Sequence, residues 1–442
     1  MIQKIKNVIF QGGFLRYLKN TSWLMAEKVA RMVVALTIGV WVARYLGPNQ
    51  FGVLSYAQSF VGLFTAFSTL GLNDIIVREL VKDKDDKNLI LGTSFWMQIL
   101  GSCFIMFCLL IAVFVNDNDQ LTNKIILILG GITFINSFGV ITSYFYSNVT
   151  SKNIVIPSFI GLLISAALKV FFILNNYSLI YFVYVLVFDI AFLMFGQIYL
   201  YQRQGNFIKK WSFSSKKAKQ LLLDAWPLIL SAIVISIYMK IDQVMIKEFL
   251  NTEAVGQYSA AVRLSEAWYF IPMIICSSLF PAILNAKKVD ERLYFSRLQR
   301  LFNLMVVLGL SVVVPVLLLS DWGIELLYGE AYNLSATVLK IHIWAGVFVF
   351  LGVANQKWFI SENLQKYNIL CLALGMLVNV LLNILFIPKY GILGAAYATL
   401  IAQAIASLFA PVLFKKTRKT FFMMIRALFF LSLFKKKYKN NN

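Results

Sequence analysis

One histidine, four cysteines and 20 acidic residues are all that this 442-residue chain holds of the side chains that most often build catalytic and metal centres. Cys103, Cys108, Cys276 and Cys371 all lie inside apolar runs, with no CxxC or metal-ligand spacing, which excludes a disulfide framework and a zinc site. His342 stands alone, so no His-metal cluster exists, and a lone helical histidine reads first as a hydrogen-bonded packing residue. The chain has no Walker P-loop and no nucleophile constellation, and no polar stretch is long enough to fold as a catalytic domain. We therefore expect neither an enzyme nor an ATPase: no catalytic residues, no bound metal and no cofactor.

Charge is scarce too, at 14% of residues, whereas 60% are hydrophobic and 15% aromatic. With a mean hydropathy of +0.74, the solvent of such a chain is lipid. A spanning helix takes about 20 apolar residues, and stretches of that size recur near 23–43, 51–72, 89–115, 125–146, 154–174, 179–200, 221–246, 258–284, 301–319, 335–356, 367–387 and 392–414. The expected fold is all-α and polytopic, with 12 transmembrane helices.

The net charge of +21 raises the question of nucleic acid, and its placement answers it. Of 41 Lys and Arg, Arg44, Lys124, Lys247 and Lys389 fall in one set of loops, and Lys28, Arg31, Lys169, Lys240, Arg263 and Lys340 within spans. The rest sit in the alternate loops and the two ends. This bias sets membrane orientation, with both termini cytoplasmic, and is not the contiguous face that nucleic acid needs. No cleavable signal is expected, since the first apolar run is long and no small-residue site follows it. Residues 1–20 read as a surface segment, and Thr420 to Phe434, apolar but split by Arg426, as an interfacial amphipathic helix attracted to anionic lipid, or else a thirteenth span.

One polar hinge occurs twice. Leu46, Gly52, Ser55 and Ala57 of the first copy correspond to Leu250, Gly256, Ser259 and Ala261 of the second. A constant offset of about half the chain predicts duplicated halves, which gives an N-terminal bundle at 1–202, a basic linker at 203–220, a C-terminal bundle at 221–414 and a basic tail at 415–442. In each copy the glycine lets a helix start close against its neighbour.

Ionisable groups at membrane depth cost about 2.5–3.5 kcal/mol each on insertion scales, so they are paired or face a wet cavity. Glu27, Lys28, Arg31, Lys169, Asp189, Lys240, Asp242, Arg263, Glu266, Lys340 and His342 all fall within spans. Glu27 and Arg31, at i, i+4, and Arg263 and Glu266, at i, i+3, each share a helix face. A cation-lined cavity suits an anionic substrate, and arginine's planar fork matches phosphate or pyrophosphate oxygens. Arg31, Arg263, Lys28 and Lys340 are therefore the candidate headgroup contacts. Glu27, Asp242 and Glu266 are candidates for a coupling H+ or Na+; pairing with the nearby cations is the structural alternative.

Several further stretches, spread along nearly the whole chain, belong together. They are Ala43-Arg44-Tyr45-Leu46-Gly47-Pro48 with Phe51-Gly52, Thr69-Leu70-Gly71-Leu72 with Arg78-Glu79, Asp242-Gln243-Val244-Met245-Ile246 with Val255-Gly256-Gln257-Tyr258, and Tyr390-Gly391-Ile392-Leu393-Gly394-Ala395-Ala396. In these the chain resembles the Wzx-type polysaccharide and O-antigen flippases of the multidrug/oligosaccharidyl-lipid/polysaccharide (MOP, MATE-like) exporter superfamily. The resemblance implies two six-helix bundles around a central cavity. It also implies movement of an undecaprenyl-pyrophosphate-linked oligosaccharide across the bacterial cytoplasmic membrane by alternating access, with polysaccharide polymerase and chain-length regulator proteins as partners. The family has no universal site motif, so the site residues rest on the charges alone. The alternatives are an ion-coupled drug or metabolite exporter of the same superfamily, a lipid-linked peptidoglycan precursor as cargo, and, from another class, a membrane glycosyltransferase or polysaccharide polymerase.

Overall fold

A computed structural model describes residues 12–83, 85–116 and 118–430, which form helices joined by short turns and loops, with no strand. The helices are α1 (Gly12–Thr69), α2 (Asn73–Lys82), α3 (Lys87–Val115), α4 (Gln120–Asn136), α5 (Val140–Ser147), α6 (Lys152–Leu174), α7 (Leu179–Arg203) and α8 (Ser215–Phe249). They continue as α9 (Thr252–Glu266), α10 (Phe270–Val289), α11 (Glu291–Tyr328), α12 (Asn333–His342), α13 (Ala345–Ser361), α14 (Gln365–Tyr390), α15 (Ile392–Ala404) and α16 (Arg418–Leu428). Single turns of tighter or wider helix join several of them.

Among the described residues, ten helices are long and apolar enough to cross a membrane, and a pair bent by 45°, Glu330–His342 and Ala345–Ser361, makes eleven if it is one span. The first of the ten, Ser22–Lys82, is interrupted at Gly47 (φ 68°, ψ 169°), a conformation that suits glycine, and Pro48 then opens the next helical stretch. It thus carries two apolar stretches, and the whole is compatible with twelve crossings.

The chain divides into two compact units, one formed by residues up to Leu46 with Ala57–Ser236, the other by Gly47–Tyr56 with Ile237 onward. In the first, α2 is an amphipathic wedge. Its Ile75, Ile76 and Leu80 pack on Ile90, Leu91, Ile141 and Phe145, with Tyr201 and Leu221 closing the cluster. The basic stretch expected as a linker belongs to this unit and is packed into it. Ser214 N–H donates to Thr93 Oγ1 (3.1 Å), and Gly92 lies so close to Ser212 that a Cβ would sit 2.4 Å from its carbonyl oxygen. Lys217 Nζ reaches Glu79 at 2.8 Å, while Arg78 bridges Glu79 and Asp224.

In the second unit, Phe302, Met305, Val306, Phe350, Trp358 and Cys371 belong to one extensive buried cluster. The helix expected near Thr420 is α16. Its Met423, Met424 and Ala427 are buried in that same cluster, and Phe422 and Phe429 are exposed. Residues 431–434 of the expected helix, like residues 1–11 of the expected surface segment, lie outside the described residues.

The two hinge copies meet inside the second unit. A Cβ on Gly52 would lie 1.7 Å from the carbonyl oxygen of Thr252, and one on Gly256 would lie 1.8 Å from that of Pro48. Thr252 Oγ1 also donates to Asn49 Oδ1 at 2.8 Å. The repeat seen in the sequence is thus a reciprocal backbone contact, made where only hydrogen fits.

Candidate functional site

The candidate residues separate into three settings. The first, in unit one, joins α1, α6 and α7. Arg31 donates through Nε to Glu27 Oε1 (2.9 Å), through Nη1 to Asp189 Oδ2 (3.1 Å) and through Nη2 to Ser158 Oγ (2.8 Å). Ser158 in turn donates to Glu27 Oε1 (2.6 Å), and Ser165 to Asp189 Oδ1 (3.3 Å). The expected i, i+4 pair forms. All three guanidinium nitrogens are engaged and two carboxylates share one cation, so this arginine is occupied by protein. Lys28, three residues before it, is exposed.

The second setting is a small polar cavity of about 20 Å3 in unit two, bordered by Tyr238, Asp242, Tyr258, Glu266, His342 and Thr399 among others. Asp242 is 7% exposed and accepts hydrogen bonds from Tyr258 Oη (2.7 Å), Asn383 Nδ2 (2.7 Å) and Thr399 Oγ1. Asn383 Oδ1, Asn379 Nδ2 and Tyr238 Oη are buried there with no partner among the described residues. A carboxylate, a hydroxyl and a spare carboxamide oxygen are the donor types a hard cation takes, and the carboxylate is equally a proton acceptor. No group of three or more His, Cys, Asp or Glu side chains able to hold a metal occurs among the described residues. His342 is a packing residue, with Nδ1 2.9 Å from Ser265 Oγ and its ring edge-to-face with Tyr258.

Arg263 makes the third setting. Among the described residues it makes no ion pair with Glu266, despite their i, i+3 spacing, and that carboxylate borders the Asp242 cavity. Instead the guanidinium carbon lies 4.5 Å from the centroid of the Phe51 ring, and no carboxylate among the described residues binds it. Phe51 is fully buried, with Tyr332 edge-on to it at 6.3 Å and Tyr328 beyond, 5.2 Å from Tyr332. The remaining expected cation, Lys340, is spent on Asp321, whose two oxygens lie 2.9 and 2.6 Å from Nζ.

Of the four expected anion contacts, only Arg263 keeps a guanidinium fork that no acid occupies. Glu27 sits in the arginine cluster, and Asp242 and Glu266 share one cavity. Sequence reasoning passed over the neutral partners Ser158, Asn379, Asn383 and Thr399. Asn379 and Asn383, four apart in an otherwise apolar span, were the available signal.

Comparison with known proteins follows the same lines. The family model described as "Polysaccharide biosynthesis protein" matches residues 17–287. A protein of Shigella flexneri described as "Putative O-antigen transporter" is 24% identical over 406 residues, 86% of this chain and 93% of its own. The "Capsular polysaccharide biosynthesis protein CapF" of Staphylococcus aureus is 22% identical over 397 residues, covering 88% and 96%. Among solved structures, an inward-facing multidrug resistance MATE family transporter of the MOP superfamily superposes with a TM-score of 0.71 at 14% identity, covering 92% of this chain and 96% of its own. The lipid II flippase MurJ, in an inward closed conformation, gives 0.65 at 18% identity, covering 95% and 93%. The chain is a multi-pass membrane protein with the fold of the MOP superfamily, and it belongs to the polysaccharide biosynthesis protein family.

Proposed function

We propose that this protein is a non-enzymatic flippase that carries an undecaprenyl-pyrophosphate-linked oligosaccharide across the bacterial cytoplasmic membrane by alternating access, both termini lying in the cytoplasm. The carrying observation is Arg263. In so apolar a chain a guanidinium without a carboxylate is an unbalanced cation, and a diphosphate supplies the missing charge with the planar geometry its fork prefers. The family match and the relatives' descriptions support a polysaccharide cargo, and the orientation follows the placement of Lys and Arg. The Asp242 cavity is the seat proposed for a coupling H+ or Na+; at about 20 Å3 it has room for an ion or a water.

The test is transport in proteoliposomes of a lipid-linked oligosaccharide whose sugar is scored by a membrane-impermeant oxidant. Arg263→Gln removes charge-assisted hydrogen bonds worth about 1.5–3 kcal/mol, so the rate at subsaturating substrate falls by roughly 10- to 100-fold. An unchanged rate would overturn the assignment. Incorporation of labelled sugar by the purified protein alone would instead make it a glycosyltransferase.

A further inference from the structure

The Phe51-Gly52 step in the first hinge places an aromatic ring under Arg263, whose guanidinium no carboxylate among the described residues binds. Gly52 lets the hinge backbone press against Thr252 and Gly256 of α9. Phe51, beside it, is thereby held against the same helix two turns further on, where Arg263 stands at i+7 from Gly256. The guanidinium carbon lies 4.5 Å from the ring centroid, within reach of the ring's negative face. The ring cannot drift, because it is fully buried with Tyr332 edge-on at 6.3 Å.

A cation on an aromatic face differs from a cation on a carboxylate in what it leaves over. The ring offsets part of the charge through its quadrupole and takes none of the five N–H donors, whose directions lie in the guanidinium plane. Arg31 shows the contrast within the same chain, since Glu27, Asp189 and Ser158 use its Nε, Nη1 and Nη2. A guanidinium stacked on the ring would meet ligand oxygens in its own plane, as bidentate phosphate recognition requires.

We infer that Phe51 is the positioning residue for Arg263: its ring fixes the guanidinium so that the N–H edge is presented to the phosphate oxygens of a polyprenyl diphosphate headgroup. This rests on the reading of Arg263 as the headgroup contact, and it adds a specificity element, since a point-charge cation such as lysine cannot use the platform in the same way.

The experiment measures binding of undecaprenyl pyrophosphate to the full chain in nanodiscs of zwitterionic lipid. Position 51 carries Phe, Tyr, Leu, or phenylalanines bearing one, two or three ring fluorines, which keep the shape and progressively weaken the quadrupole. Phe51→Leu is expected to raise Kd about three- to thirty-fold, the range a cation–π contact spans, and Phe51→Tyr to stay within about twofold of the parent. Log Kd should rise steadily with fluorine number, and Phe51→Leu should add nothing once Arg263→Gln is present. A flat fluorine series, or an effect of Phe51→Leu that persists in the Arg263→Gln background, would overturn the inference. The fluorine series decides even if Phe51→Leu fails to fold. Loss of binding in Arg263→Gln with a flat series refutes Phe51 alone, whereas parental binding in Arg263→Gln refutes the headgroup reading beneath it.

Discussion

Adding one methyl group where the two hinges cross is the most direct perturbation of this architecture. Ordinary contact begins near 3.4 Å, whereas a Cβ added at Gly52 would fall 1.7 Å from the Thr252 carbonyl oxygen, 2.7 Å from its carbon and 2.9 Å from Gly256 N. Every obstructing atom is backbone, so no side chain can rotate away, and the segments must part by about 1.7 Å. Parting them also loosens the bed of Phe51 and Tyr56, both fully buried beside the crossing. We expect Gly52→Ala and Gly256→Ala each to cost about 3 kcal/mol, the upper part of the range for overpacking. For a cooperative unit of this size that corresponds to a melting temperature lower by roughly 6–12 °C. The two changes attack one contact, so a crossing already opened by the first should accept the second cheaply, leaving a coupling of about 1–3 kcal/mol in the double-mutant cycle. Melting of detergent-purified protein, followed by loss of the monodisperse chromatographic peak, measures all four species. Single variants within about 1 °C of the parent, or a double variant equal to the sum of its parts, would show that the hinges do not meet backbone to backbone.

Other expectations can be checked on the same protein. Glu79 lies in α2, the amphipathic last ten residues of Ser22–Lys82, which the positive-φ break at Leu70 and Gly71 sets off from the apolar stretch and so from the spanning segment itself. There the hydrogen bond from Lys217, assisted by Arg78, holds its carboxyl below the usual range against the opposing effect of burial. A depressed carboxylate contributes stability above its unfolded value, near 4.3, and loses it as pH falls through the lower folded value. Melting temperature should therefore drop between about pH 5 and 3 in the parent more steeply than in Glu79→Gln, which starts lower by about 1.5–3 kcal/mol at neutral pH; parallel curves would refute this. Asp242→Asn keeps the shape of the cavity and removes its charge, so transport should lose its dependence on an imposed Na+ or pH gradient while Arg263-dependent headgroup binding persists; gradient-driven transport at the parental rate would remove Asp242 from coupling. His342→Gln should leave the pH profile of transport unchanged, because the ring packs on Tyr258 and Ser265; a shifted profile would make it a titrating participant.

The membrane class and the duplicated hinge were legible because lipid imposes long apolar runs and because a glycine contact repeats with the element that needs it. Charge partners were not. Glu27 and Arg31 met as their helical spacing implied, but so did the distant Asp189 and Ser158, brought in by α7 and α6. Spacing along one helix says which residues share a face, and nothing about which other helix covers that face. The same limit explains Arg263 and Glu266, which share a helix and part company because the guanidinium lies against a hinge aromatic and the carboxylate borders a polar cavity. Lys340 found Asp321, 19 residues earlier on α11, a pairing that no pattern within α12 could indicate.

What a membrane adds to such an inventory is discrimination. In water an unpaired arginine is ordinary, whereas within spanning helices each cation needs a stated compensation, and here the compensations differ in kind. Arg31 is neutralised by acids, and Lys340 by a highly exposed one. Arg263, among the described residues, has no acid and lies on the face of a ring. A ring offsets a fraction of a full charge, so the remainder is left for something that comes and goes. An anion that the protein must release cannot be held by a cation that carboxylates already satisfy, nor left to an uncompensated one that would hold it too tightly. An arginine backed by Phe51 lies between those extremes, which is the property the proposed headgroup contact requires, and on that proposal Phe51-Gly52 serves the transport chemistry as much as the fold.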